Sequence, residues 1–133
     1  MVLLVVPLVL LFGAGCAERT SPADALRDDT PSKMRAAALR NAVHGPVALA
    51  GARVYGESGC TNCHTYGGVG STELRAPDLT AEGAKGKSVA RLVEFLRCPP
   101  CADSGSAMPP FKALGERRLR RLAVFLAVSK GGG

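Results

Sequence analysis

Five consecutive residues define what chemistry this chain can do: Cys60-Thr61-Asn62-Cys63-His64. Two thiols separated by two residues, with an imidazole directly after the second, have the spacing of a c-type haem attachment site. Each thiol can add across one of the two vinyl groups on the porphyrin edge. The adjacent imidazole then ligates the iron through one nitrogen. Its other ring nitrogen is left to donate to a backbone carbonyl, which fixes the ring and tunes the metal.

A second cluster follows. Cys98-Pro99-Pro100-Cys101 is a cysteine pair at disulfide-compatible spacing, and Met108-Pro109-Pro110-Phe111 presents a thioether between prolines. Three readings of the pair stay open. A structural disulfide would close a short loop and stiffen the approach to Met108. A redox-active dithiol would resemble oxidoreductase motifs but lacks their βαβ context. With Cys60 and Cys63 it would make two knuckles of a four-cysteine zinc site, but 34 residues separate the knuckles and the usual spacing is about 15–20.

These side chains need elements to position them. Pro46 suits the first turn of a helix running to about Glu57. Gly51 inside that helix costs about 1 kcal/mol against Ala and so wants a close crossing to justify it. Tyr55, four residues on, shares its face. Residues 65–87, with glycines at 67, 68, 70, 83 and 86, read as a loop. Ser88 caps a helix to about Arg97 whose core stripe is Val89, Leu92, Val93 and Leu96. A last helix spans about Glu116 to Ser129. Leu119, Leu122, Ala123 and Leu126 form its inner face, Arg117, Arg118, Arg120 and Arg121 its solvated one, and Gly131–Gly133 fray.

The run from Gly51 through Tyr55 to Cys60 and His64 resembles the opening of a small class I c-type cytochrome. The resemblance continues over about residues 46–129. It implies an all-α cytochrome c fold: three main helices wrapped around one covalently attached haem c, with the N- and C-terminal helices crossing at Gly51. Ala76-Pro77-Asp78-Leu79 resembles the family's proline loop, which implies that the Pro77 carbonyl accepts from the free ring N–H of His64. Met108-Pro109-Pro110-Phe111 resembles the distal ligand loop, which implies Met108 Sδ on the iron opposite His64.

The function so implied is single-electron carriage between redox partner proteins outside the cytoplasm. An iron with both axial positions filled has no vacancy for substrate, so no enzyme is expected. Lys85, Lys87 and Lys112 are expected around the haem edge to dock acidic partners. Three alternatives remain: a haem subunit of a larger membrane oxidoreductase, a site opened by loss of Met108 that takes a gas ligand, and the zinc module.

The 133 residues suit one domain with appendages. Residues 2–15 are apolar or small, too short for a transmembrane helix and suited to a signal peptide. Gly13-Ala14-Gly15-Cys16 resembles a lipoprotein cleavage site, so Cys16 is either an acylated first residue or incidental in an ordinary signal peptide. The organisation is thus a signal peptide (1–15), a flexible tether (16–45) and a haem domain (46–130). Met34 and His44 in the tether are expected on solvent, and the stretch from Pro31 to Arg40 is expected to be at most a weakly ordered helix. The net charge of +6 favours an acidic partner or an anionic membrane. No basic run is interleaved with aromatics, so nucleic acid is not expected. A cysteine pair that can oxidise fits an exported, cell-envelope protein.

Overall fold

An α-carbon without a side chain in the middle of a helix lets another backbone touch it, and Gly51 is used in this way. A Cβ built there would lie 2.1 Å from the carbonyl oxygen of Arg121 and 2.7 Å from Cβ of Phe125. The computed structural model describes residues 29–132. In it, α2 (Pro46–Glu57) crosses α5 (Glu116–Val128) at that glycine. The crossing buries Ala48, Ala52 and Tyr55 of α2 against Leu119, Leu122, Ala123, Phe125 and Leu126 of α5. Arg118 adds an exposed ion pair to the crossing, donating from Nη2 to Glu57 at 2.8 Å, so one member of the arginine face is engaged with α2.

Helix α3 (Val89–Arg97) begins where expected. Ser88 Oγ accepts from the Arg91 N–H at 3.1 Å, satisfying one of the donors a helix start leaves free. Leu92 and Leu96 are its buried residues. One further turn, α4 (Pro99–Ala102), follows it. The described residues are therefore mostly helical, in keeping with a cytochrome c fold.

Two regions differ from expectation. From Thr30 onward the chain corrects the reading of residues 16–45 as a loose tether. Helix α1 (Thr30–Arg40) packs against α2, and Met34, Ala37 and Ala38 have no exposed surface. Met34, expected on solvent, is thus a core residue. The contact works by shape rather than by a broad apolar face. Gly56 lies so close to Pro31 that a Cβ would come within 2.8 Å of it, and the glycine at 67 lies against Ala37 and Asn41. Small residues let two backbones approach and bury area that a hydrophobicity count underweights. Cys16 and the leader lie outside the described residues.

The other difference is within 65–87, expected as a loop. Strands β1 (Thr65–Tyr66) and β2 (Val69–Gly70) pair antiparallel, Thr65 with Gly70 and Tyr66 with Val69. The connecting glycines at 67 and 68 have φ of 53° and 80°. Positive φ at both central positions is what a tight hairpin turn of this hand requires. Tyr66 carries the hairpin into the core: its ring lies 4.7 Å from that of Phe125, and its hydroxyl donates to Ser129 Oγ at 3.0 Å. Ser129 in turn donates to the Phe125 carbonyl at 2.7 Å. The end of the chain is held further than expected, because the Gly131 N–H donates to the Thr80 carbonyl at 3.0 Å.

Candidate functional site

Gly59, in a left-handed conformation with φ of 73°, ends α2 and turns the chain into a short 3₁₀ turn at Cys60–Asn62. The N–H groups of Cys63 and His64 both donate to the Cys60 carbonyl, at 3.2 and 2.9 Å. This winds the two cysteines and the histidine onto a single turn. Cys60 and Cys63 are free thiols there, the first buried and the second half-buried. Burial pushes the Cys60 thiol up to about 12, with the neighbouring Cys63 adding to the rise against a backbone hydrogen bond that opposes it.

His64 donates from Nδ1 to the Pro77 carbonyl at 2.8 Å. That bond fixes the tautomer and leaves Nε2 as the basic nitrogen. The proline loop is itself braced. Thr65 Oγ1 donates to one oxygen of Asp78, the Thr80 N–H to the other, and the Leu79 N–H to the Thr65 carbonyl. Burial alone would raise Asp78, but these hydrogen bonds outweigh it and hold the carboxyl below its usual range. On the other flank, the Ser71 N–H donates to the Thr61 carbonyl, and Gly70 passes so close to His64 that a Cβ would lie 2.1 Å from its carbonyl oxygen.

Cys60, Cys63, His64 and Met108 all line one cleft of about 740 Å³. Apolar walls come from Leu92, Phe95 and Leu96 on α3 and from Leu122 and Leu126 on α5. Met108 arrives on the loop after α4, with its N–H donating to Ser106 Oγ at 3.3 Å. The loop closes where the Phe111 N–H donates to the Leu96 carbonyl at 2.9 Å. Cys98 and Cys101 at its root are joined in a disulfide with Cα atoms 5.3 Å apart. A second cysteine knuckle for zinc is thereby consumed. Among the described residues no group of three or more His, Cys, Asp or Glu is arranged to hold a metal ion.

The cleft fits the group that the cysteine–histidine motif implies. Its volume is within the range of about 300–1,000 Å³ usual for cofactor sites, and its walls are mainly apolar. The donor set is two thiols, an imidazole nitrogen and a thioether. Two buried hydroxyls on its wall, Tyr55 Oη and Ser58 Oγ, have no hydrogen-bond partner within the protein. Buried polar atoms are seldom left so, and a bound group or its water completes them. Burial also raises the Tyr55 phenol well above its ordinary value, so it stays protonated and able to donate.

The remaining candidates are distributed differently from expectation. Lys85 and Lys87 line the cleft, but both donate to Glu82, at 2.6 and 2.9 Å. Glu82 is 6 % exposed. Burial would raise its carboxyl, yet the two ammonium groups hold it below its usual range. Sequence reasoning missed Glu82; the signal was an acid three and five residues ahead of two lysines in a glycine-rich loop. Lys112 and the exposed His44 lie away from the cleft, as does Met34.

A family model described as cytochrome C oxidase, cbb3-type, subunit III matches residues 46–126. Comparison with curated proteins and with solved structures gave no match.

Proposed function

The chain belongs to the family described as cytochrome C oxidase, cbb3-type, subunit III, a class I c-type cytochrome whose cofactor is covalently attached haem c, and from that premise we propose how it carries electrons. It is a redox module that exchanges electrons with partner proteins. Haem, when bound, supplies a one-electron iron couple. Cys60 and Cys63 would hold the porphyrin edge through thioether bonds. His64 would offer Nε2 to the iron, and its Nδ1–H, committed to Pro77, orients the imidazole and keeps it electron-rich. Met108 Sδ would be the thioether ligand, which favours the ferrous state. Leu92, Leu96, Leu122 and Leu126 exclude water, which limits reorganisation when the charge changes. Tyr55 and Ser58 supply hydrogen-bond donors at the cleft wall.

The observation that carries this reading is that His64 and Met108, forty-four residues apart, line one apolar cleft with the two free thiols. Docking at the cleft mouth draws on Leu74, an apolar residue 69 % exposed beside Ala76 and Pro77, and on the single positive charge left over when Glu82 neutralises one of its two lysines. Partners with an apolar patch and a modest acidic rim fit that surface.

The leader and Cys16 extend the proposal: export across a bacterial membrane and anchoring there by acylation of Cys16. Among the described residues no helix is long and apolar enough to cross a membrane. A second reading, in which the chain is one haem subunit of a larger membrane oxidoreductase, is favoured by the matched family's description as an oxidase subunit. Stable co-purification with other subunits from native membranes separates it from a free carrier.

The primary test is the visible spectrum of the protein made in cells that mature c-type haems. Low-spin bands with the weak red-edge absorption of iron–thioether ligation are expected, the latter lost in Met108→Ala. A protein with no covalent haem would overturn the reading. A high-spin spectrum would keep the fold and replace electron carriage by ligand binding.

A further inference from the structure

The loop that carries Met108 is held in an unusual way. It leaves α3 at Arg97 and rejoins the structure where the Phe111 N–H meets the Leu96 carbonyl. Between those points its hydrogen bonds are local. Cys101 N–H donates to the Cys98 carbonyl at 3.0 Å, Asp103 N–H to Pro99 at 2.9 Å, and Ser106 N–H to Asp103 at 2.9 Å. The N–H groups of Gly105 and Met108 go to the side chains of Asp103 and Ser106. Four of the loop's residues, Pro99, Pro100, Pro109 and Pro110, have no N–H to give. Among the described residues the one backbone hydrogen bond that joins residues 98–110 to another element is at the root, where the Cys98 N–H donates to the Glu94 carbonyl of α3 at 3.3 Å. Beyond that bond, the Cys98–Cys101 disulfide closes the first turn of the loop on itself, directly after α3. Cys101 is exposed and Cys98 half-buried, so the bond is open to attack from solvent.

We infer that Cys98–Cys101 is a thiol–disulfide exchange site for an external dithiol, and that its redox state sets how firmly Met108 is presented to the cleft. The inference rests on the reading of Met108 as the axial ligand. The chemistry balances within the pair and its reductant. A thiolate of the dithiol attacks the exposed Cys101 Sγ, a mixed disulfide forms, and the Cys98–Cys101 bond breaks. Cys98 leaves as a thiolate and takes a proton. The second thiol of the reductant then displaces Cys101, so that two electrons and two protons pass to the protein and the dithiol becomes a disulfide. Reduction leaves residues 98–110 held at their two ends by the Cys98–Glu94 and Phe111–Leu96 backbone bonds and by side-chain packing, with the turn between Cys98 and Cys101 no longer closed covalently. The module would then sense the thiol balance of its compartment through the same loop that completes its iron site.

The test uses the whole haem-loaded protein, with iron kept ferrous by ascorbate so that only the disulfide changes, and dithiothreitol as the dithiol. Three readouts are taken: cysteines alkylated by iodoacetamide, hydrogen exchange over residues 103–110, and the rate of carbon monoxide uptake, which requires Met108 to leave. Dithiothreitol is expected to expose two alkylatable thiols and to speed both exchange and uptake about tenfold, within what releasing a short closed loop supplies. Cys98→Ser/Cys101→Ser, with native helicity, should be fast before any dithiol is added and unchanged after it. Thiols that appear with exchange and uptake unchanged would overturn the inference, as would a disulfide that resists the dithiol. Fast uptake in the disulfide form, unaltered by Met108→Ala, would overturn the His64–Met108 reading and the inference with it.

Discussion

The two sides of the cleft are built on opposite plans. On the histidine side, Thr61, His64, Thr65, Pro77, Asp78, Leu79 and Thr80 are tied by hydrogen bonds that cross between segments ten or more residues apart in the chain. On the methionine side the bonds inside the loop are local, and two backbone bonds to α3, Cys98 to Glu94 and Phe111 to Leu96, close it together with one disulfide. Cross-bonded segments open only together, whereas a loop closed on itself can open alone. His64 is therefore set by the whole domain and Met108 by a local latch. Under the proposed ligation this is economical: the imidazole would define where the iron sits, and the soft thioether would adapt to it.

The comparison breaks most sharply at two glycines. Gly70 has φ of 119°, and a Cβ there would meet the His64 carbonyl at 2.1 Å, so Gly70→Ala is expected to cost about 3 kcal/mol or more. Gly105, whose nearest neighbour to such a Cβ is the Asp103 carboxylate at 3.4 Å, should tolerate Ala within about 0.5 kcal/mol. Urea unfolding of both variants decides the matter; similar losses would mean that the two sides are equally rigid.

A smaller contrast is expected from single hydroxyls. Thr65→Val removes a donor to Asp78 and should destabilise by about 1 kcal/mol while loosening the Pro77 loop that holds His64. Ser106→Ala removes only the local acceptor of the Met108 N–H, and about half that loss is expected, without change on the histidine side. Thermal midpoints, read with the Soret band as a probe of the iron site, separate the two.

The smallest effect is one of pH. Asp78 has its folded value held below the unfolded one of about 3.9. Its contribution is therefore complete above that unfolded value and is lost as pH falls through the folded one. Wild-type stability should decline in acid more steeply than that of Asp78→Asn, the difference vanishing toward neutral pH apart from a constant offset. Parallel acid limbs would remove Asp78 from the brace.

Much of this was legible beforehand. The cysteine–histidine turn, the capped start of α3 at Ser88 and the span of α2 follow from spacing along one stretch of chain, whereas the crossing at Gly51 was implied by the resemblance to small c-type cytochromes. The docking role expected of Lys85 and Lys87 was only half legible: their position on the cleft follows from the loop, but the buried Glu82 that claims them does not announce itself in composition. Helix α1 was misjudged for a related reason. Met34, Ala37 and Ala38 make a narrow stripe, and its strength comes from the glycine at 56 letting Pro31 approach.

By itself the sequence determined the cofactor chemistry, because thioether attachment needs two thiols and an imidazole on one turn, and that is a property of five residues. It also determined the main helices, whose 3.6-residue periodicity is local. Only the tertiary structure decided that Cys98 and Cys101 bond to each other and form no zinc knuckle, how the hairpin at 65–70 carries Tyr66 into the core, and that residues 30–40 belong to the folded body. Those outcomes depend on distances between segments far apart in the chain and on shape complementarity between small side chains, neither of which is written in a local pattern.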